Sequence, residues 1–184
     1  LPVACAFRYQ DLFDNRHPNY IGDVGVGVNP KLAQRIKDAD LILAIGPRLG
    51  EMTTSGYTLL DAPVPAQTLI HVHAGAEELG RVFQAQLMIN SGLPQFASRL
   101  AMMVPVEEPP WRESVASARE ELEAWQQRPA VYAHGDPPLD LWEAMQILSR
   151  AIPPDAIIAN GAGNFATWAH RFWRYSGLRT QIAP

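Results

Sequence analysis

The feature that most constrains this chain is its alternation of short apolar runs with helical patterns. "DLILAIG" (40–46) and "TLIHVHA" (68–74) are continuous apolar stretches of strand length. That pattern belongs to strands buried on both faces of a parallel sheet. "PKLAQRIKDA" precedes the first as a helix, with Asn29 as its N-cap and Pro30 at the first helical position. "VACAF" (3–7) and "QLMIN" (86–90) read as two further strands. "EELGRVF" (77–83) reads as a short helix, and "SGLPQFASRLAMM" (91–103) as a helix opened by Ser91. Strands alternating with helices across short turns imply an α/β fold built on a doubly wound, Rossmann-like parallel sheet.

The pattern changes at "VPVEEPPW" (104–111), where prolines and glutamates mark a linker. A charged helix, "RESVASAREELEAWQQ", follows. Asp136 is then expected to cap a helix in which Leu141, Met145 and Leu148 form an apolar stripe. "AIIAN" (156–160) reads as an apolar strand that expects cover on both faces and neighbours on both edges. Phe165, Trp168, Phe172 and Tyr175 fall at helical spacing after it, as a core-facing stripe. A second, incomplete α/β unit therefore begins near residue 133.

Composition narrows the functional classes. A net charge of -4 argues against a nucleic-acid surface. No apolar run approaches the roughly 18 residues that span a bilayer. No basic segment leads into an apolar one, so a signal peptide is not expected and cytoplasmic localisation is. Cys5, the single cysteine, excludes an internal disulfide and is expected to be inert core.

The stretch with the most chemistry in it is "NGAGNFATWAH" (160–170). Gly161, Gly163 and Ala166 match G-x-G-x-x-[GA] between a strand and a helix, as in a dinucleotide fingerprint. Glycines there would permit positive φ, and the helix start would offer free N–H groups to a phosphate. The fingerprint also requires an acid about 20 residues on to hold a ribose. No Asp or Glu follows Asp155. An NAD(P)-binding dehydrogenase domain and a non-catalytic nucleotide-binding module are the alternatives that the residues themselves leave open, beside a plain tight turn.

Two longer stretches carry a resemblance. "HPNYIGDVGVGVNPKLAQRIKDADLILAIGPRLGEMTTSGYTLL" with "TLIHVHAGAEELGRVF" is similar to the central domain of thiamine-diphosphate enzymes of the acetolactate synthase-like family. "DAIIANGAGNFATWAHRFW" with "LRTQIAP" resembles the start of that family's C-terminal cofactor domain, in the expected order. The resemblance implies residues 1–104 as central domain, incomplete at its N-terminus. It implies 105–132 as linker and connecting helix, and 133–184 as the beginning of the cofactor domain. The chain would be a fragment of a thiamine-diphosphate- and Mg²⁺-dependent carboligase or decarboxylase (a transferase or lyase) acting on a 2-oxo acid. The whole enzyme would be a homo-oligomer without nucleic-acid or membrane partners.

By the same resemblance, the diphosphate would meet Gly161, Gly163, Asn164 and Phe165. Phe165 stands where the family has a histidine donor. The family's activating glutamate and its Gly-Asp-Gly…Asn metal motif have no counterpart in this chain, so no catalytic or metal residue is assigned and the chain alone is expected to be inactive. In the central domain the resemblance points to Arg48 and Thr54 of "GPRLGEMTTS" as the remnant of an FAD or ADP site. Gly50, Glu51 and Met52 replace its Asp-Asp-Arg, and His73 and Gly75 replace its next Asp-x-Asp, which argues against tight FAD binding. His71 and His73 are read as pointing to opposite faces of their strand, unable to share a metal. His17, His134 and His170 are read as structural or solvated.

Overall fold

The computed structural model describes residues 1–130 and 139–184. The expected Asp136 cap and His134 lie outside the described residues. The fold is α/β, and every strand pair among the described residues is parallel. The strands form three small sheets, within two compact units that do not follow chain order. One unit is residues 33–110; the other joins residues 1–32 to 111–184.

In the unit 33–110, three strands run in sequential order: β3 (Leu41–Ile45), β4 (Thr68–His73) and β5 (Leu87–Asn90). Each continuous apolar run became a strand, but only the central β4 is enclosed. Leu69 and Val72 are fully buried, whereas Leu41 and Ile45 of the edge strand β3 stay exposed. β3 is an edge strand, and the burial on both faces expected of it is not found at its two ends. Ala44, Leu60, Leu69 and Phe83 form the core, with Ile36, Ile42 and Val82 packed against it. The expected helix at 77–83 is only a 3₁₀ turn at Ala76–Glu78. Gly80, at φ +73, interrupts it. Helix α2 (Leu93–Leu100) forms, but Ser91 does not cap it. Gly92 holds the cap position, and the Ser91 hydroxyl donates to the Gly92 carbonyl instead.

The division between units falls inside α1 (Pro30–Lys37), whose start is as expected. The Asn29 Oδ1 accepts the Lys31 amide at 3.0 Å, satisfying one orphan donor of the first turn. In the second unit, β1 (Val3–Ala6) pairs in parallel with β2 (Tyr20–Val24). The sequence reading had no strand at β2, because "IGDVGVG" scans as a glycine-rich turn. Its glycines serve backbone geometry: Gly25 takes φ +133, and a Cβ there would stand 2.2 Å from a Phe7 ring carbon. Helix α3 (Arg112–Trp125) buries Ala118 and Leu122, and Leu122 packs with Cys5 and Tyr20.

Helix α4 (Leu141–Ala151) is capped by Asp140, whose carboxylate accepts the Glu143 amide at 3.1 Å. Strand β6 (Ile158–Ala159) is shorter than "AIIAN" suggested and pairs in parallel with β7 (Gln181–Ile182). That partner, from the chain's own last residues, fills one of the two edges the strand was expected to have covered. Between β6 and β7 runs α5 (Ala166–Phe172). The expected aromatic stripe breaks at both ends, because Phe165 precedes the helix and is 62% exposed while Tyr175 follows it and is 1% exposed. Trp168 and Phe172 do stack, with centroids 5.3 Å apart. Among the described residues no helix is long and apolar enough to cross a membrane.

Candidate functional site

Residues 161–165 form an exposed loop between β6 and α5. Neither Gly161 nor Gly163 adopts a left-handed φ. The expected need for positive φ is therefore absent. What Gly163 permits is the Phe165 ring, since a Cβ there would stand 2.6 Å from Phe165 Cε1. The first amides of α5 are already engaged: Ala166, Thr167 and Trp168 donate to the carbonyls of Gly163, Asn164 and Phe165 at 3.0, 3.2 and 3.1 Å. The Thr167 hydroxyl also donates to the Asn164 carbonyl, at 2.6 Å. The unspent donors are the amides of residues 161–165 and the Asn164 carboxamide, which have no partner among the described residues. An exposed row of N–H groups beside one carboxamide suits a phosphate oxygen. It supplies no positive side chain.

Arg48 and Thr54 lie in the unit 33–110. The Arg48 guanidinium is exposed and pairs with Glu78 at 3.6 Å, so its fork is directed to a carboxylate of its own unit. Thr54 is buried, and its hydroxyl donates to the Gly50 carbonyl at 2.8 Å. This bond closes the turn around Glu51–Gly56 and leaves the hydroxyl no donor for a ligand. The structure thus gives the candidate residues two settings, one per unit: an open amide loop and a self-bonded turn.

His71 and His73 lie on one face of β4, correcting the expectation that they point apart. Residues i and i+2 of a strand share a face, and their ring centroids are 6.0 Å apart. His71 is buried, which holds its pKa below the usual value, with a smaller contribution from His73. As the neutral ring it donates Nε2–H to the Pro47 carbonyl at 3.0 Å. His73 Nδ1 accepts the Gly75 amide at 3.0 Å. Among the described residues no three His, Cys, Asp or Glu side chains gather as metal ligands.

The sequence reading missed a buried polar network in the unit 1–32 with 111–184. Asn15 donates to the carbonyls of Gln10 and Phe13 and accepts the Tyr175 amide at 2.9 Å. Asp11 accepts the amides of Thr180 and Gln181 at 3.0 and 3.3 Å. Gln10 reaches His170 at 3.2 Å, and burial lowers the His170 pKa. Asp23 sits nearby on β2, its Oδ2 enclosed without a partner. The one signal in the sequence was an acid inside the apolar, glycine-flanked run "IGDVG".

Parallel strand pairs with helices packed among them define an α/β protein. The model of the family described as "Thiamine pyrophosphate enzyme, central domain" matches residues 1–100, and the chain belongs to that family. Among its relatives is a sulfoacetaldehyde acetyltransferase of Castellaniella defragrans, 24% identical over 202 residues, covering 99% of this chain and 34% of the relative. The acetolactate synthase isozyme 2 large subunit of Escherichia coli is 21% identical over 169 residues, covering 92% and 29%. The acetolactate synthase large subunit of Corynebacterium glutamicum is 24% identical over 186 residues, covering 99% and 29%. The chain spans about a third of the length of the relatives it matches, 34% at most among these three.

Proposed function

We propose that this chain supplies the central domain, and the opening strand, loop and helix of the cofactor domain, of a thiamine-diphosphate- and Mg²⁺-dependent enzyme. The reaction is carboligation or decarboxylation of a 2-oxo acid, in a cytoplasmic homo-oligomer. The observation that carries the reading is the family match over residues 1–100, supported by relatives named as acetolactate synthases and acetyltransferases. When bound, thiamine diphosphate supplies the carbanion chemistry.

This chain's own contribution is binding. The amides of residues 161–165 and the Asn164 carboxamide would meet the diphosphate, and Phe165 would cover the loop without donating a hydrogen bond. The described residues gather no metal ligands. The engaged Arg48 and Thr54 favour a central domain without FAD, and purified protein is expected to be colourless.

Amide NMR during titration with thiamine diphosphate, and separately with thiamine, tests the loop. Shifts confined to residues 161–168 and dependent on the diphosphate are expected. Equal shifts with thiamine, or none with either compound, would remove the loop from the site. With no counterpart of the family's activating glutamate in its sequence and no metal ligands gathered among the described residues, the 184-residue chain should release no carbon dioxide from pyruvate with thiamine diphosphate and Mg²⁺. Turnover above the free cofactor's rate would overturn that part of the reading.

A further inference from the structure

The buried cluster around Asp23 takes no part in the proposed cofactor binding. Asp23 lies on β2 directly across from Cys5 of β1. Its Oδ2 is sealed from solvent and has no hydrogen-bond partner, and the Tyr175 hydroxyl is sealed and unpartnered as well. Tyr175 belongs to the segment after α5 and is held to the N-terminal segment through Asn15. Buried polar groups are nearly always bonded, so two orphans in one cluster call for a cause.

The groups facing this carboxyl come from every element around it. From β1 comes Cys5, its pKa pushed up to about 12 by burial, then by Asp23 and Asp11. From β2 comes Tyr20, raised by burial and then Asp23. From the C-terminal segment comes Tyr175, raised by burial, then Asp11 and Asp23. Helix α3 brings a cation, Arg119, which acts on Tyr20. Its guanidinium is spent on the carbonyls of Asn15, His17 and Tyr20 and on Glu123. Asp11 itself is occupied by the amides of Thr180 and Gln181. An ionised Asp23 would stand among a thiol and two phenols with its Oδ2 unpartnered, an arrangement a closed interior does not support.

We propose that Asp23 is a proton-operated latch: with its carboxyl neutral, β1, β2 and the C-terminal segment close around it, and loss of that proton releases the segment from residues 10–15. A neutral carboxyl carries no charge for burial to strand, as an ionised one would. Burial raises the closed-state pKa of Asp23 from 3.8 to about 7, opposed only by a bond from its own amide. The sign follows. The closed state keeps the proton up to about 7, while the opened state loses it near 3.8. Closure is therefore most favoured below pH 4, weakens as pH rises towards 7, and changes little beyond.

Hydrogen exchange of the Tyr175, Thr180 and Gln181 amides, corrected for intrinsic rates, tests this on the whole chain. By linkage the opening constant should rise roughly fiftyfold between about pH 5 and pH 7. Asp23→Asn, neutral at every pH, should abolish that rise. Persistence of the same rise in the variant, or its absence from the wild type, would overturn the proposal. Should Asp23→Asn not fold, the ¹³C resonance of the Asp23 carboxyl decides on the wild-type chain. A midpoint near neutrality supports the latch, and a midpoint near 4 overturns it.

Discussion

Cys5 is surrounded by the packed side chains of Tyr20 and Leu122. A thiol reacts as its thiolate. With a pKa pushed up to about 12 by burial and by Asp23 and Asp11, the thiolate at pH 8 is on the order of one part in ten thousand. A disulfide reagent at pH 8 should label Cys5 at least a hundredfold more slowly in the native chain than in denaturant. Equal rates would mean that β1 does not shield it. The inertness of Cys5 was legible from the run "PVACAF" alone, since an apolar context predicts burial. The partners of Asp23 were not. Cys5 and Tyr175 stand 18 and 152 residues away from it in sequence, and no local pattern records contacts at such separations. Gly25 shows the same limit, because its companion Phe7 is named only by the fold. The histidines of β4 are different, since period-two alternation fixes their common face once the strand is assigned.

At the scale of elements, apolar runs and caps were readable where they act locally. Asn29 with Pro30 opens α1 as the residue types demand. Strands β2 and β7 were hidden, because one is threaded with glycine and the other is only Gln181–Ile182. Both exist through pairing with a distant partner rather than through propensity. The piece that ties such elements together is Asn15. It is buried, and all three of its side-chain bonds go to backbone groups. Asn15→Ala would leave the Tyr175 amide and two carbonyls short of partners. A buried group left unsatisfied costs about 1–3 kcal/mol. Urea denaturation should show a lower midpoint with an unchanged slope for this variant. A change below about 0.5 kcal/mol, the range of ordinary surface substitutions, would mean that Asn15 does not hold the C-terminal segment.

At the scale of the whole chain, the class was legible and the connectivity was not. Alternating apolar runs point to α/β, and the prolines of 104–111 mark an irregular crossing, which the structure has there. Nothing local to the sequence says that residues 1–32 and 111–184 form one compact unit. That arrangement has a consequence for a cut chain. Glu107 and Glu108 are exposed in the crossing, so a glutamate-specific protease should cleave there early. The two pieces produced, residues 1–107 and 108–184, remain joined by bonds that do not pass through the cut. These are Asn15 to Tyr175, Asp11 to Thr180 and Gln181, and the Gln181 side chain to the Phe7 carbonyl and Gln10 amide. The guanidinium of Arg119, on the second piece, donates to three carbonyls of the first, and Leu122 packs on Cys5 and Tyr20. Several buried bonds and an apolar seam are enough to keep two segments associated at micromolar concentration when each bond is worth about 1 kcal/mol net. At pH 5, where the neutral Asp23 favours closure, the nicked chain should elute as one species in native gel filtration and as two pieces in denaturant. Separation under native conditions would show that the unit is held together by chain continuity and not by these contacts.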